Sequence, residues 1–463
     1  MPVGLPEEVL QHIFAYLHEI ADLRCLDQGK DAQLKRSTLA SISLASSSYH
    51  RIVRPELYHT LIVEDDARIA RPLHFLRTLL EHPNTGRLVR EIHSGGWSVK
   101  AHRKDKRCVT GVESTSTILL DAAARAGIPA LSRENVEMTL WIPAAEASIA
   151  MMLPFIPMLR LLTINARLRV DLNPVMTALR HVQLPQLSEV RTVSEGGESA
   201  LDRLLDVLQL PALRTFRARK VSCAIHSTDA LANIKVPLGL EHVFLEDSNA
   251  DEIGIGRLLA AAPGLKTLSV YWESQDGLLV HSGSLGQALC ARGKNLETVR
   301  LGSVDPDEKT LYPVSGTQLG DLREMASLRH LALPYAVLCS ESQSWLVFQI
   351  ALEDAGGWFE RSHDYLVRVL PHSLRSLDIE HAKWSTELAE ALGSVQHEGV
   401  LVRNPLDLQL LELMTDGRYV DLSLITVHRV DNFTCLQEAE LMGWVEEPGQ
   451  GRFTLRKSSA ETF

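Results

Sequence analysis

Apolar residues near the start of the chain recur at helical spacing. The stretch "LPEEVLQHIFAYL" (5–17) sets Leu5, Val9, Leu10, Ile13, Phe14 and Leu17 on one face of a helix. Pro6 falls in its first turn, where a missing N–H breaks no intrahelical bond. Further along, another pattern returns again and again. It reads "PMLRLLTI" (157–164), "PQLSEVRTV" (185–193), "PALRTFRA" (211–218), "PLGLEHVFL" (237–245) and "PGLKTLSV" (263–270), then "KNLETVRL" (294–301), "ASLRHLAL" (326–333) and "HSLRSLDI" (372–379). Each phrase is Leu-x-x-apolar-x-apolar, usually after a proline or another turn former, and the alternation predicts a short strand with one apolar face. Only the second copy departs, because its Val193 lies one place beyond the expected apolar position. Between phrases the spacing becomes helical, as in Leu201, Leu204, Leu205 and Leu208, or Ile255, Leu258, Leu259 and Ala262.

The leading leucines are 159, 187, 213, 240, 265, 296, 328 and 374, with intervals of 25 to 28 residues that lengthen later to 31, 32 and 46. A strand-plus-helix period of about 27 residues headed by Leu-x-x-Leu-x-Leu resembles the leucine-rich repeat. The resemblance implies an α/β fold, an irregular solenoid of parallel strands backed by helices, in which no unit buries its apolar side without a neighbour. The family carries Asn or Cys at the ninth position of its signature, whereas Arg167, Val221, Ser248, Glu273, Val304, Ala336 and Ala382 stand there in this chain. The side-chain ladder that satisfies each turn is therefore expected to be irregular.

The first helix resembles the opening of an F-box, particularly the fungal type. Leu5, Pro6, Glu8, Val9, Ile13 and Leu17 match the first half of that motif. In "SLASSSYHRIVRPELYHTLIV" (43–63), Leu44, Ala45, Tyr49, Arg51, Pro55, Leu57 and Tyr58 match the second. Between them, the stretch from Leu17 to Leu44 is longer than a compact F-box needs and carries the charged "DQGKDAQLKR" (27–36). Membership would imply docking on the Skp-type adaptor of a cullin–RING ubiquitin ligase, the SCF complex, through an adaptor-binding set of Leu5, Pro6, Val9, Ile13 and Leu17, with Leu44 and Tyr58 supporting the fold. The same periodicity also suits a helix that merely caps the end of the array in a scaffold that meets no ligase.

The organisation expected is a helical F-box-like module over 1–63, a connecting segment with first layers over 64–150, the repeat array over 151–382 and a C-terminal cap over 383–463, frayed at its end. A further strand is anticipated within "GRLVREIHS" (86–94), a helix over 69–82 and an exposed loop over 94–117. Within each strand, the residue between the two inward apolar positions faces the other side of the sheet and is available to a partner. Arginine and aromatic side chains concentrate binding energy, which selects Arg217, Arg219, Phe244, Tyr271 and Arg300 as candidate target contacts.

Composition narrows the function classes. A net charge of −11 over 463 residues argues against nucleic acid as a partner, and the short basic run "KAHRKDKR" (100–107) reads as a solvated loop. The most apolar stretch, 147–164, is interrupted by Pro154, Pro157 and Arg160, so no membrane span is expected. Six scattered cysteines (25, 108, 223, 290, 339, 435) with no CxxC spacing, and no secretory apolar segment, suggest reduced packing thiols in the cytoplasm or nucleus. "HEIAD" (18–22) lacks the second metal-binding histidine, "GIGRLLAAAPG" (254–264) lacks the third glycine of a dinucleotide loop, and "SGSLG" (282–286) is not a nucleophile elbow. No enzymatic activity, metal or cofactor is expected; the expected partners are a Skp-type adaptor and a protein target whose identity the residues do not name.

Overall fold

A computed structural model describes residues 7–18, 28–63, 70–94, 124, 144–166, 174–194, 199–272, 285–303, 319, 321–334, 365–380, 410, 413–419, 421–427, 436–449 and 452–457. Leu5, Pro6 and the 95–117 loop lie outside these residues. The chain divides into two compact units, the first formed by 1–196 with 209–213 and the second by 197–208 with 214–463. The boundaries anticipated near 63 and 150 thus fall inside the first unit, and the one near 382 inside the second. Both units are mixed α/β, built on parallel strands in an open arrangement.

The first unit begins with three helices, α1 (Glu7–His18), α2 (Gln28–Ala45) and α3 (Ser47–His59). Most of the charged stretch between the two F-box-like halves is therefore helical: it forms the first turns of α2. The three helices enclose a small core of Leu39, Ile52 and Val53, against which Leu10, Ile42 and Leu57 pack. Ser46 caps α3, its hydroxyl accepting from the Tyr49 N–H at 3.1 Å. Strand β1 (Thr60–Val63) follows directly; after helix α4 (Ala70–Glu81) come β2 (Glu91–Ser94), helix α5 (Ala144–Met152), β3 (Leu161–Ala166), helix α6 (Pro174–His181) and β4 (Glu189–Ser194). These four strands pair in chain order, all parallel. The strand anticipated within 86–94 and the helix anticipated over 69–82 are both present.

In the second unit β6 (Thr215–Arg219), β8 (His242–Glu246), β9 (Thr267–Trp272), β10 (Thr298–Ser303), β11 (His330–Pro334), β12 (Ser376–Glu380) and β13 (Leu424–Val427) pair in order, again parallel. The short β5 (Ser199–Ala200) and β7 (Val221–Ser222) make a separate parallel pair. Helix α7 (Glu252–Ala261) lies in the connection between β8 and β9. The run ends in an antiparallel hairpin of β14 (Trp444–Gly449) and β15 (Arg452–Lys457), with β15 against β13.

Register is the same at every step. The residue two places after each leading leucine pairs with its counterpart, as in Thr267 with Thr298, Thr298 with His330, and His330 with Ser376. At eight steps the carbonyl just after the leading residue accepts two successive N–H groups from the next copy. Arg90 and Arg160 do so in the first unit; Arg214, Glu241, Lys266, Glu297, Arg329 and Arg375 do so in the second, at 2.7 to 3.3 Å throughout. All eight leading leucines are at most 2% exposed. Burying each stabilises the fold by roughly 1.5–3 kcal/mol.

Two details follow from this register. In the second copy Thr192 takes the inward place and is buried, while Val193, one place beyond, turns to the other face. Strand alternation outranks the hydrophobicity of one residue, since a slip would turn the whole strand over. The C-terminal region, expected only to cap the array, carries a further phrase: Leu422 leads "LSLITV", and β13 continues the parallel run.

The turn chemistry is irregular, as anticipated, and in the second unit several different side chains satisfy the buried backbone groups. Ser248, at the ninth position, donates to the Glu246 carbonyl at 2.8 Å and accepts from the Val221 N–H of the preceding copy at 3.3 Å. Asp251 caps α7 through the Gly254 N–H at 2.6 Å and also accepts from the Ile225 N–H at 2.7 Å. Asp202 accepts from the Ala230 N–H at 2.9 Å, and Trp272 donates its indole N–H to the Ala250 carbonyl at 2.8 Å. Different side chains thus do the work of a repeated asparagine. Lys220 and Asp247, each seven places after its leading leucine, share a left-handed conformation with φ of 59° and 54°. At Gly254 a Cβ would lie 1.6 Å from the Cys223 carbonyl oxygen, so the helix start sits on the preceding copy only as glycine.

The second copy tests this register directly. Leu187→Ala should cost about 2–5 kcal/mol in chemical denaturation, whereas Val193→Ala should change stability by less than about 0.5 kcal/mol. Equal costs would contradict the observed facing of the strand.

Candidate protein-interaction surfaces

The candidate residues fall in two regions, one in each unit. In the first unit the apolar stripe of α1 is split. Leu10 packs into the core shared with α2 and α3, whereas Val9 and Ile13 are 41% and 44% exposed. An exposed ion pair between Arg51 and Glu7, at 2.7 Å, ties α3 to α1 and is worth no more than about 1 kcal/mol. Leu44, at the end of α2, is 87% exposed, and Tyr49 on α3 is also exposed. Tyr58 is half-buried and stacks on Phe75 of α4, ring centroids 6.0 Å apart, at the place in the register that a leading leucine holds elsewhere. Leu17 belongs to α1, but its side chain lies outside the described residues, as do Leu5 and Pro6.

Beside this module, the first strands carry a polar network on the face opposite the buried leucines. Glu91 Oε2 accepts from the Thr60 hydroxyl at 3.2 Å and lies 3.3 Å from His93 Nε2, while His93 Nδ1 lies 3.2 Å from the Thr163 hydroxyl. His93 is buried. Its hydrogen bond is the main cause holding the Glu91 carboxyl at about 2, against an opposing push from burial.

In the second unit the inward positions of the strands are buried and the intervening residues form a row across the sheet: Arg217, Phe244, Ser269, Arg300, Ala332, Asp378 and Thr426. Arg217 stacks on its registered neighbour, its guanidinium carbon 3.8 Å from the centroid of the Phe244 ring. Such a stack is worth about 0.5–1 kcal/mol at a partly exposed site and holds both groups in place. Arg219 reaches Asp247 at 3.3 Å, and Tyr271 is half-buried one strand beyond β8. Arg300 is on the next strand, registered with Ser269 and diagonal to Tyr271. The five candidates therefore spread over four neighbouring strands, with the Arg217–Phe244 stack at one end and Arg300 at the other. A second row was missed: Thr215, His242, Thr267, Thr298, His330 and Ser376 sit two places after the leading leucines, with His242 3.0 Å from the Thr267 hydroxyl and His330 2.7 Å from that of Ser376. The repeated Thr/His/Ser at one offset within the phrases was the available signal.

Among the described residues, no group of three His, Cys, Asp or Glu side chains is arranged to hold a metal, and no helix is long and apolar enough to cross a membrane. Burial raises the pKa of the Cys223 thiol far above its ordinary value and that of Cys290 less, so neither is a ready nucleophile at neutral pH. No protein-family model matches the chain, and no curated protein does.

Because the folded-state pKa of Glu91 is depressed, its contribution is complete above the ordinary carboxylate value and is lost as pH falls from about 4.5 toward about 2. Glu91→Gln should flatten that part of the stability–pH profile measured by denaturant titration. An unchanged acid slope would remove Glu91 from the network.

Proposed function

We propose that the protein is a non-enzymatic adaptor. Its three N-terminal helices form an F-box-like module that docks on the Skp-type subunit of a cullin–RING ubiquitin ligase. Its parallel strands form an irregular leucine-rich-repeat array whose second face holds a protein target. The observation that carries this reading is the split stripe of α1. A helix that only sealed the end of an array would bury its whole apolar edge, yet Val9 and Ile13 remain exposed while their neighbour Leu10 is packed.

The mechanics are those of a helix laid in a groove. Val9, Ile13 and Leu44 would supply apolar anchors, the core of Leu39, Ile52 and Val53 would keep the helices in fixed relation, and the partner would cover what is exposed. Tyr58 supports the fold rather than the contact. The Arg217–Phe244 stack, with Arg219, Tyr271 and Arg300, would present the target side with charge and aromatic surface. Such a protein contributes no bond chemistry. It raises the effective concentration of a target near a ubiquitin-charged enzyme. This function belongs in the cytoplasm or nucleus.

Co-purification with a recombinant Skp-type subunit tests the proposal. The intact chain should retain it, and Val9→Asp combined with Ile13→Asp should weaken binding by at least about tenfold while changing the unfolding midpoint little. No binding by the intact chain would overturn the adaptor reading. Loss of fold in the double variant would show that these side chains belong to the core.

A further inference from the structure

The row of intervening residues in the second unit is uneven in size, and at one point it dips. Strands β10 to β13 bring Arg300, Ala332, Asp378 and Thr426 side by side at one register position. The alanine, 7% exposed, puts only a methyl group between an arginine and an aspartate. Above it is a cavity of about 160 Å³, walled by Arg300 and Asp378, closed toward the strand starts by His330 and Ser376, and bounded by Thr426. Arg300 and Asp378 spring from strands two spacings apart, about 10 Å. The space is that of one side chain, comparable with an engineered void that takes up benzene, and too small for a nucleotide.

The charges on the walls decide what fits. Arg300 offers donors from one side and Asp378 offers acceptors from the other. His330 adds no charge at neutral pH: burial first, then Arg300 and Arg375, lowers its pKa, with only Glu297 opposing. Its ring shares a 2.7 Å hydrogen bond with Ser376. A carboxylate or phosphate entering the cavity would gain Arg300 and face the Asp378 carboxylate. An ammonium or guanidinium would gain Asp378 and face Arg300. A primary carboxamide meets both walls, its oxygen accepting from the guanidinium and its NH2 donating to the carboxylate.

We propose that this cavity is a one-residue specificity pocket that takes the carboxamide side chain of a glutamine or asparagine on a protein target, held between Arg300 and Asp378 over Ala332. The inference rests on the reading of this face as the target-binding surface, and it does not depend on the ligase.

Saturation-transfer NMR on the full-length protein tests it, with N-acetyl-glutamine amide, N-acetyl-glutamate amide and N-acetyl-lysine amide as probes. The glutamine probe should bind best, by about tenfold or more over either charged one, because each of those brings a like charge against one wall. Ala332→Leu, which fills the space, should abolish the transfer. Asp378→Asn, which removes the repelling charge without changing shape, should bring the glutamate probe up to the glutamine probe. Preference of the wild-type protein for either charged probe, or no transfer from any, would overturn the proposal, as would transfer that survives both Ala332→Leu and Asp378→Asn unchanged. If Ala332→Leu fails to fold by circular dichroism, the Asp378→Asn arm decides alone. Retained binding of the Skp-type subunit alongside a failed pocket would sink this inference and leave the adaptor reading standing.

Discussion

One carbonyl oxygen, just after a buried leading side chain, accepts two successive N–H groups from the next copy of the strand. That doubled hydrogen bond recurs at eight steps across the two units with nearly constant geometry, while the chain between steps varies from 25 to 70 residues. It fixes where each strand enters the sheet, and the leading side chain beneath it fixes which face turns inward. Insertions are absorbed in the connections because loop closure grows only slowly more costly with length, whereas a slip of one residue would turn every side chain of a strand over.

Constant register has a functional consequence. It arranges residues from distant parts of the chain in rows, so that Arg217 meets Phe244 and Ala332 separates Arg300 from Asp378. Neither arrangement is local in sequence. The first gives a rigid cationic–aromatic surface and the second a notch with opposite charges on its walls. The N-terminal helices follow a different logic: they own a small core and leave part of an apolar stripe uncovered. A module that holds together around Leu39, Ile52 and Val53 can present Val9 and Ile13 without depending on them for stability.

Much of the strand framework was legible because buried leucine at a fixed offset is a strong periodic signal, and the eight quoted phrases became strand entries that follow one another in order within each unit. The phrase led by Leu422 was passed over because 48 residues separate it from Leu374, far outside the earlier period. The first two strands were harder still, since Tyr58 and Val89 hold the leading places and neither is leucine. Thr192 in an inward position and Val193 outside it could not be told from composition, because alternation decided and hydrophobicity did not. Turn chemistry was illegible for a related reason: Ser248, Asp202 and Asp251 each satisfy a different backbone group, so no single residue type repeats. On the candidate surfaces, single residues such as Arg217 and Phe244 could be nominated from their offset, but their stacking could not. The pocket was invisible because it is made by a small residue, and nothing about an isolated alanine announces a cavity.

The claim that most needs direct proof is lateral registration across a long insertion. His330 and Ser376, 46 residues apart, are neighbours on the second face of β11 and β12. The pair His330→Cys with Ser376→Cys, oxidised under mild conditions and mapped by peptide mass spectrometry, should yield a disulfide joining those two positions. The control pair His330→Cys with Leu377→Cys should not, because residue 377 turns to the opposite face. A link to 377 in preference to 376, or none to either in folded protein, would contradict the register on which both surfaces depend.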